Sequence, residues 1–164
     1  MRGCLKLLLL PALIFLFTAG CIGANEPVSN ADHAPDFTLQ DLNNEPVSLG
    51  SFKGKAPVLL FFWASWCPSC RRGFMELSEA SADLKEEGLE ILAVNIGESN
   101  TTVERFIDDF SCNCRVLLDK NTAVAGIYKI VGIPTFILIN KEGRIISKGH
   151  KFLPEKFKEL ISEL

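Results

Sequence analysis

Cys67 and Cys70, separated by two residues, are the side chains of this sequence whose type and spacing most directly predict chemistry. At this spacing two sulfur atoms can reach each other and form a disulfide. The apolar run at 57–63 predicts a buried strand before the motif, which then lies in the first turn of a helix. Unpaired backbone N–H groups and the helix dipole at that turn favour a thiolate, and they lower a cysteine pKa from about 8.5 to roughly 3.5–7.5. We therefore predict that Cys67 is an exposed nucleophile and that Cys70 is the buried resolving thiol.

A Cys-x-x-Cys pair has two other interpretations, which are half of a zinc site and a purely structural disulfide. A zinc site needs a second Cys or His pair at suitable spacing. The other close pair, Cys112 and Cys114, has a gap of one residue, and neither His33 nor His150 has a partner in the sequence. The aromatic strand before the motif and Pro68 inside it favour redox chemistry. We predict no metal and no bound cofactor, because the sequence also lacks a glycine-rich phosphate loop and a dinucleotide fingerprint.

Four motifs together resemble the thioredoxin superfamily. Residues 66–70 (WCPSC) follow the apolar strand, and residues 132–136 (GIPTF) lie downstream. Residues 34–39 (APDFTL) and 51–55 (SFKGK) resemble its extracytoplasmic, membrane-tethered thiol–disulfide reductase branch, which is redoxin or AhpC/TSA-like and is associated with cytochrome c maturation. The resemblance covers roughly residues 34–164. It implies a thiol–disulfide oxidoreductase that reduces protein disulfides outside the cytoplasm, with cytochrome c maturation as one setting.

The spacing of apolar residues predicts the order β-β-β-α-β-α-β-α-β-β-α. Strands are expected at 37–42, 46–49, 57–63, 89–96, 115–119, 135–140 and 144–148. Helices are expected from the cysteine motif to about residue 87, from a capping box at Thr101, over 121–129 and from Pro154. This order and the resemblance predict an α/β fold, a thioredoxin-like three-layer α/β/α sandwich with a mixed central sheet and an N-terminal β-hairpin.

The resemblance also implies a substrate-binding surface made of Trp66, Pro68, Ile133 and Pro134. Pro134 is expected to follow a cis peptide bond and to face the cysteine pair, with Ile133 offering backbone groups to an extended substrate. Trp66 is expected to flank the nucleophilic sulfur as an apolar contact surface, and Pro68 shapes the turn without an N–H of its own. The simpler alternatives are core packing for Trp66 and a plain bend before a strand for Pro134.

The sequence departs from the family pattern at three positions near the motif. Phe61 stands where thioredoxins carry a buried acid, Gly73 where the tethered branch often carries a glutamate, and Met75 where the family has a helix-kinking proline. We expect Glu76 to lie on a different face of the helix from Gly73. The sequence therefore assigns no acceptor for the Cys70 proton, and the hypothesis is that water or a substrate group takes it and that the Cys70 pKa is raised.

Cys112 and Cys114 follow the second predicted helix with one residue between them. A disulfide across one residue is strained, so the favoured interpretation is that one or both are buried small hydrophobes. The alternative is a second redox pair, or soft ligands for Cu(I) together with the main motif. His150 is expected in solvent at a strand end, and His33 in solvent within a tether.

The N-terminal residues are typical of a targeting segment. The apolar stretch at 7–17 is 11 residues long, which is short of the roughly 20 that a membrane span needs. We predict a lipoprotein-type signal peptide at 1–20, lipidation of Cys21, a flexible tether at 21–33 and a thioredoxin-like domain at 34–164. The alternatives are an ordinary secretory signal and an uncleaved anchor. All three interpretations place the domain outside the cytoplasm. In the favoured one the domain is anchored to a bacterial membrane.

Length and charge narrow the choice of partners. The chain has 164 residues, a single-domain size, and a formal net charge of −3 without a basic block, which argues against nucleic acid as a partner. We expect protein disulfide substrates, a membrane electron-donor protein, a lipid anchor in the membrane and a monomeric state. Disulfide oxidase or isomerase activity stays open, because the direction depends on thiolate stabilisation. A non-enzymatic copper-binding chaperone using Cys67 and Cys70 is the other alternative.

Overall fold

The computed structural model describes residues 33–162. Its elements in chain order are β1 (Thr38–Asp41), β2 (Pro46–Ser48), a 3-10 helix (Leu49–Phe52), β3 (Val58–Trp63), α1 (Pro68–Glu86), β4 (Glu90–Ile96), α2 (Asn100–Ile107), β5 (Arg115–Asp119), α3 (Ala123–Ile127), β6 (Thr135–Ile139), β7 (Ile145–Gly149) and α4 (Pro154–Ser162). The predicted signal peptide, the lipidation site Cys21 and all of the predicted tether except His33 lie outside the described residues. Within 33–162, no helix has both the length and the apolar character that crossing a membrane requires.

The seven strands of the described range form one sheet in the order β2-β1-β5-β4-β3-β6-β7. β3, β4 and β5 are parallel to one another, whereas β6 and β7 continue the sheet antiparallel on one side. β1 pairs antiparallel with both β2 and β5 on the other side. The prediction of an α/β fold with a mixed central sheet is therefore confirmed. His33 pairs with Arg144 in an isolated antiparallel bridge and is exposed.

Helices cover both faces of this sheet. Successive side chains of a strand point to opposite faces, so each central strand contributes to two cores. Phe61 and Trp63 of β3 belong to a core that also contains residues of α1, α2 and α4. Leu60 and Phe62 belong to the opposite core, which contains residues of α3. All residues of β3 are buried, as expected for a central strand covered on both faces. The three layers of the predicted sandwich follow directly from this alternation.

α1 carries the cysteine motif into the fold as one uninterrupted helix. Pro68 is its first residue, where the missing N–H removes no helical hydrogen bond. Met75, at the place of the family's kinking proline, is exposed, and the helix continues past it. Gly88 follows the helix with φ of +86°, a conformation in which glycine is the usual residue after a helix end.

Two helices begin or end at residues other than those predicted. Ser99, not Thr101, caps α2, because its side-chain oxygen accepts the backbone N–H of Thr102 at 3.3 Å. Ser99 already has the extended backbone that a capping residue needs (φ −77°, ψ 156°). α3 is shorter than predicted, since Thr122 and Lys129 have positive φ values of 60° and 50° that a helix cannot include.

Candidate active site

Strand β3 and helix α1 together position the cysteine pair. β3 ends at Trp63, and a short loop leads to Cys67, the residue that caps the N-terminus of α1. The Cys67 sulfur accepts the backbone N–H of Cys70 at 3.2 Å. The two cysteines are bonded to each other, with their Cα atoms 5.2 Å apart. The arrangement provides a helix N-terminus for a Cys67 thiolate and a second sulfur within bonding distance.

The expectation that Cys67 is exposed is wrong for this disulfide form. Cys67 is 4% exposed and Cys70 is fully buried at 0%. The Cys67 sulfur is covered by its bond to Cys70, by the Ser69 hydroxyl at 3.3 Å and by the Ile133 carbonyl at 3.8 Å. Cys67 is still the more accessible of the pair. Its neighbours Trp66, Pro68 and Ser69 are exposed.

The loop before β6 lies against the Cys67 sulfur. The Ile133–Pro134 peptide bond is cis, as the family resemblance implied. Ile133 is half-buried and Pro134 is buried. The Thr135 hydroxyl donates to the Gly132 carbonyl oxygen at 2.6 Å, which closes the loop on itself. The backbone carbonyl of Ile133 is thus held near the cysteine pair by contacts within the loop.

His150 supports the same loop from the end of β7, a contact that the sequence did not predict. Its Nδ1 lies 2.8 Å from the Pro134 carbonyl oxygen and 3.3 Å from the Thr135 hydroxyl. His150 is exposed, as expected, but it is not an isolated side chain in solvent. Nothing in the spacing of a lone histidine 16 residues after the proline could have indicated this pairing.

Phe61, which replaces the buried acid, belongs to a cluster of phenylalanine rings in the core that also contains Cys70. Phe61 stacks on Phe136 with ring centroids 4.6 Å apart, and it contacts Phe74 edge-on at 5.0 Å. A Cβ atom on Gly73 would lie 3.2 Å from the Phe136 ring and 3.4 Å from the Phe61 ring. Gly73 therefore leaves space for the stacked pair, and Cys70 belongs to the same buried apolar cluster.

A cleft of about 350 Å³ opens beside the cysteine motif. Its lining includes residues of α1, of the loop before β6 and of the segment after β7: Ser69, Arg72, Gly73, Glu76, Pro134, Phe136, His150, Lys151, Phe152 and Leu153. The expectation that Glu76 and Gly73 lie on different helix faces is wrong, because residues three apart in a helix are neighbours. The cleft thus combines an apolar base with charged side chains of both signs at its sides.

Glu98 ties the loop before Cys67 to the end of β4 and was not singled out from the sequence. Its carboxylate accepts the backbone N–H of Ser65 at 2.7 Å and the Ser65 hydroxyl. It also accepts the side-chain amide of Asn95 at 2.7 Å. This carboxylate fixes the loop two residues before the candidate nucleophile.

Exposed apolar residues lie on both segments that form the site, the start of α1 with the loop before it and the loop before β6. Trp66 is 71% exposed, so its interpretation as core packing is wrong, and Val131 in the neighbouring loop is 95% exposed. Pro68 is exposed as well. These side chains are therefore accessible to other molecules.

Cys112 and Cys114 form a second disulfide, with their Cα atoms 5.2 Å apart. Both residues are half-buried. The favoured interpretation as small hydrophobes agrees with their packing against the apolar core, but the two cysteines are bonded to each other and are not fully buried. Within residues 33–162, no three His, Cys, Asp or Glu side chains converge as metal ligands would.

Most of the chain matches one protein family and is similar to named oxidoreductases. The AhpC/TSA family model matches residues 31–148. The thiol-disulfide oxidoreductase ResA of Bacillus subtilis is 34% identical over 145 residues, which cover 88% of this chain and 80% of that protein. ResA of Geobacillus thermodenitrificans is 35% identical over 145 residues, which cover 88% of this chain and 83% of that protein.

A solved structure agrees with the fold. The crystal structure of the thioredoxin domain of a thiol-disulfide oxidoreductase from Bacteroides vulgatus superposes with a TM-score of 0.73 and 28% identity. The match covers 82% of this chain and 99% of that one.

Proposed function

We propose that this chain, which belongs to the AhpC/TSA family and is a thioredoxin-like thiol–disulfide oxidoreductase, reduces disulfide bonds of proteins outside the cytoplasm. The observation that carries the proposal is the Cys67 sulfur at the cap of α1, where it accepts the Cys70 N–H at 3.2 Å and is bonded to Cys70. This position stabilises a Cys67 thiolate and keeps the resolving sulfur within reach.

In the proposed reaction, the Cys67 thiolate attacks one sulfur of a substrate disulfide. A mixed disulfide forms, and the second substrate sulfur leaves as a thiolate. Cys70, after losing its proton, attacks the Cys67 sulfur and breaks the mixed disulfide. The substrate gains two electrons and two protons, and the chain is left with the Cys67–Cys70 disulfide that a membrane electron donor reduces again.

Water or a group of the substrate accepts the Cys70 proton in this scheme. Phe61 and Phe136 fill the space beneath the motif, and Gly73 brings no side chain. Burial of Cys70 disfavours its thiolate, so we expect a raised Cys70 pKa in the reduced protein. Strong disulfide oxidants have a high reduction potential because their reduced form is strongly stabilised. Here the reduced form is stabilised only at Cys67, which favours a disulfide reductant.

The proposed substrate-binding surface is formed by Trp66, Pro68, Ile133 and Pro134. It is supported by the exposed Trp66 beside the motif and by the Ile133 carbonyl 3.8 Å from the Cys67 sulfur. An extended segment of a partner protein can pair with backbone groups of this loop, while apolar side chains contact Trp66 and Val131. A protein disulfide fits such a surface better than a small molecule does.

We further propose that residues 1–20 are removed as a signal peptide, that Cys21 is lipidated and that the segment at 21–33 tethers the domain to a bacterial membrane. This proposal is supported by the short apolar stretch at 7–17 followed by Cys21. The tethered domain acts as a monomer on disulfides near the membrane surface. An apocytochrome c is one substrate of suitable chemistry, because its haem-binding cysteines must be reduced before haem attachment.

The experiment that tests the function is the reduction of insulin disulfides by the full chain, with a dithiol as electron source. We expect turnover by the native protein, no turnover by Cys67→Ser, and a trapped mixed disulfide with Cys70→Ser. Insulin reduction by Cys67→Ser at the native rate would contradict the proposal. The rate at which iodoacetamide alkylates Cys70 in the reduced Cys67→Ser protein, followed against pH, tests the raised pKa. A Cys70 pKa at or below the usual thiol value of about 8.5 would contradict that part.

A further inference from the structure

The Cys112–Cys114 disulfide lies in the segment between α2 and β5, away from the active site. The backbone N–H of Asn113, between the two cysteines, donates to the Ser81 hydroxyl at 3.0 Å. Ser81 is buried in α1. This hydrogen bond fixes the bridge against the second half of α1.

The two disulfides are too far apart to exchange within one folded molecule. Ser81 follows Cys70 by 11 residues in α1, which is about 16 Å of helix at 1.5 Å per residue. The active site follows the C-terminal end of β3, whereas the Cys112–Cys114 bridge precedes the N-terminal end of β5. These two strands run parallel. The second disulfide therefore lies at the opposite end of the sheet, and any partner must approach it there.

The second disulfide is more accessible than the first. Cys112 and Cys114 are half-buried, whereas both cysteines of the active site are buried. On one side they line a small apolar cavity of about 70 Å³ that Phe74, Ile107 and Phe110 also line. On the other side they line an open cleft of about 410 Å³. A thiolate of another molecule can approach the sulfurs from the open cleft.

Charged groups in the open cleft act on a thiolate that forms there. Lys85 and Arg115 line the cleft together with Asp41 and Glu90, so both signs are present. Arg115 directly follows Cys114 in the chain, and a neighbouring cation favours a thiolate leaving group. The bridge is also a poor structural crosslink, because the stabilisation from a closed loop increases with its length and this loop spans three residues.

We propose that Cys112–Cys114 is a second redox site, which accepts two electrons at the open cleft from the reduced Cys67 and Cys70 pair of a second copy of this chain. A donor thiolate attacks one of the two sulfurs, the Cys112–Cys114 bond breaks, and a mixed disulfide and one thiolate result. The second donor thiolate then attacks the mixed disulfide. The donor leaves oxidised, and Cys112 and Cys114 become thiols with two protons from solvent.

The first test uses the full chain with Cys67→Ser and Cys70→Ser, which leaves Cys112–Cys114 as the only bridge within residues 33–162. The oxidised variant is equilibrated in buffers of reduced and oxidised dithiothreitol, thiols are alkylated, and peptide masses report Cys112 and Cys114 separately from Cys4 and Cys21. We expect both cysteines to be reduced together in a two-electron transition while the circular dichroism spectrum stays that of the folded protein. A bridge that is reduced only when the chain unfolds, or thiols that never pair, would overturn the proposal.

The second test supplies the protein donor. Reduced Cys112→Ser/Cys114→Ser chain, with an intact active site, is mixed in excess with the oxidised variant of the first test. We expect thiols to appear at Cys112 and Cys114 faster than with a matched donor that also carries Cys67→Ser. Equal rates with the two donors would contradict docking of a dithiol protein at this site. Insulin turnover by the Cys112→Ser/Cys114→Ser chain should stay unchanged, which separates this proposal from the function of the first site.

Discussion

The Nδ1 atom of His150 lies 2.8 Å from the carbonyl oxygen of Pro134, so a side chain that follows the last strand supports the loop facing Cys67. A carbonyl oxygen only accepts hydrogen bonds, which means that Nδ1 carries the hydrogen. The Thr135 hydroxyl does not donate its hydrogen to Nδ1, because that hydrogen is donated to the Gly132 carbonyl oxygen at 2.6 Å. His150 is therefore a positioning residue for the proposed substrate-binding surface.

Replacement of His150 by alanine should weaken substrate binding without changing the chemical step. Loss of one hydrogen bond worth about 1 kcal/mol corresponds to a roughly fivefold higher KM for insulin, with kcat unchanged. His150→Asn keeps an N–H donor of similar reach and should restore most of the binding. Steady-state kinetics of the two variants check this, and identical KM values for alanine and asparagine would exclude the role of the hydrogen bond.

Trp66 should matter for protein substrates and hardly at all for small ones. Trp66→Ala removes an exposed aromatic surface beside the nucleophile, and we expect kcat/KM for insulin to fall about tenfold. A small aromatic disulfide does not extend to this surface, so its reduction should change by less than about twofold. Met75→Ala is the matched control, because Met75 is also an exposed apolar residue (54%) but lies in α1 beyond the cysteine motif. Equal losses for both substrates would contradict a substrate-binding role.

Gly73→Ala should destabilise the protein, although alanine is the better helix former. The new Cβ would crowd the stacked rings of Phe61 and Phe136, and overpacking of a core costs about 1–3 kcal/mol against a helix gain of about 1 kcal/mol. Gly126→Ala is the control, since nothing lies within 4 Å of its Cβ position in α3. Urea unfolding should give a lower unfolding free energy for Gly73→Ala and an equal or higher one for Gly126→Ala. The reverse order would show that the ring stack tolerates a side chain at 73.

Tyr128 should make stability decrease at alkaline pH. Burial, with a further contribution from the Asp36 carboxylate, raises the pKa of the Tyr128 hydroxyl well above its usual value. The folded state therefore favours the neutral phenol, and this stabilisation is complete below the unfolded pKa of about 10 and is lost as the pH rises towards the folded pKa.

Comparison with Tyr128→Phe isolates this effect. The Tyr128 hydroxyl also donates to the Pro35 carbonyl oxygen at 2.7 Å, so the phenylalanine variant should be less stable near neutral pH by about 1 kcal/mol. The unfolding free energy of the native protein should approach that of the variant above pH 10. A difference that stays constant from pH 8 to 11 would contradict the raised pKa.

The sequence predicted the elements of the fold well because each depends on local spacing. The run at 57–63 alternates between two cores and became β3, and the stripe of Phe74, Leu77 and Leu84 became the inner face of α1. The cap of α2 was misplaced by two residues because several Ser and Thr side chains compete there, and only the backbone conformation of Ser99 decides which one caps the helix.

The candidate site was predicted only as far as its residues are neighbours in sequence. The cysteine motif was recognisable, and the family resemblance indicated Pro134. Contacts between distant segments could not be predicted. One example is the contact of Glu98 with Ser65, which lies 33 residues away in the chain. The burial of Cys67 was missed for the same reason, since it arises partly from the loop at Ile133.

The reduction potential of the Cys67–Cys70 pair is the measurement that tests the central claim most directly. It is best determined on the Cys112→Ser/Cys114→Ser chain, so that the disulfide between the Cys67 and Cys70 sulfurs is the only one among residues 33–162 that responds to the redox buffer. A disulfide reductant should have a value near that of thioredoxin, about −270 mV. A value near −120 mV, typical of a strong disulfide oxidant, would contradict the account.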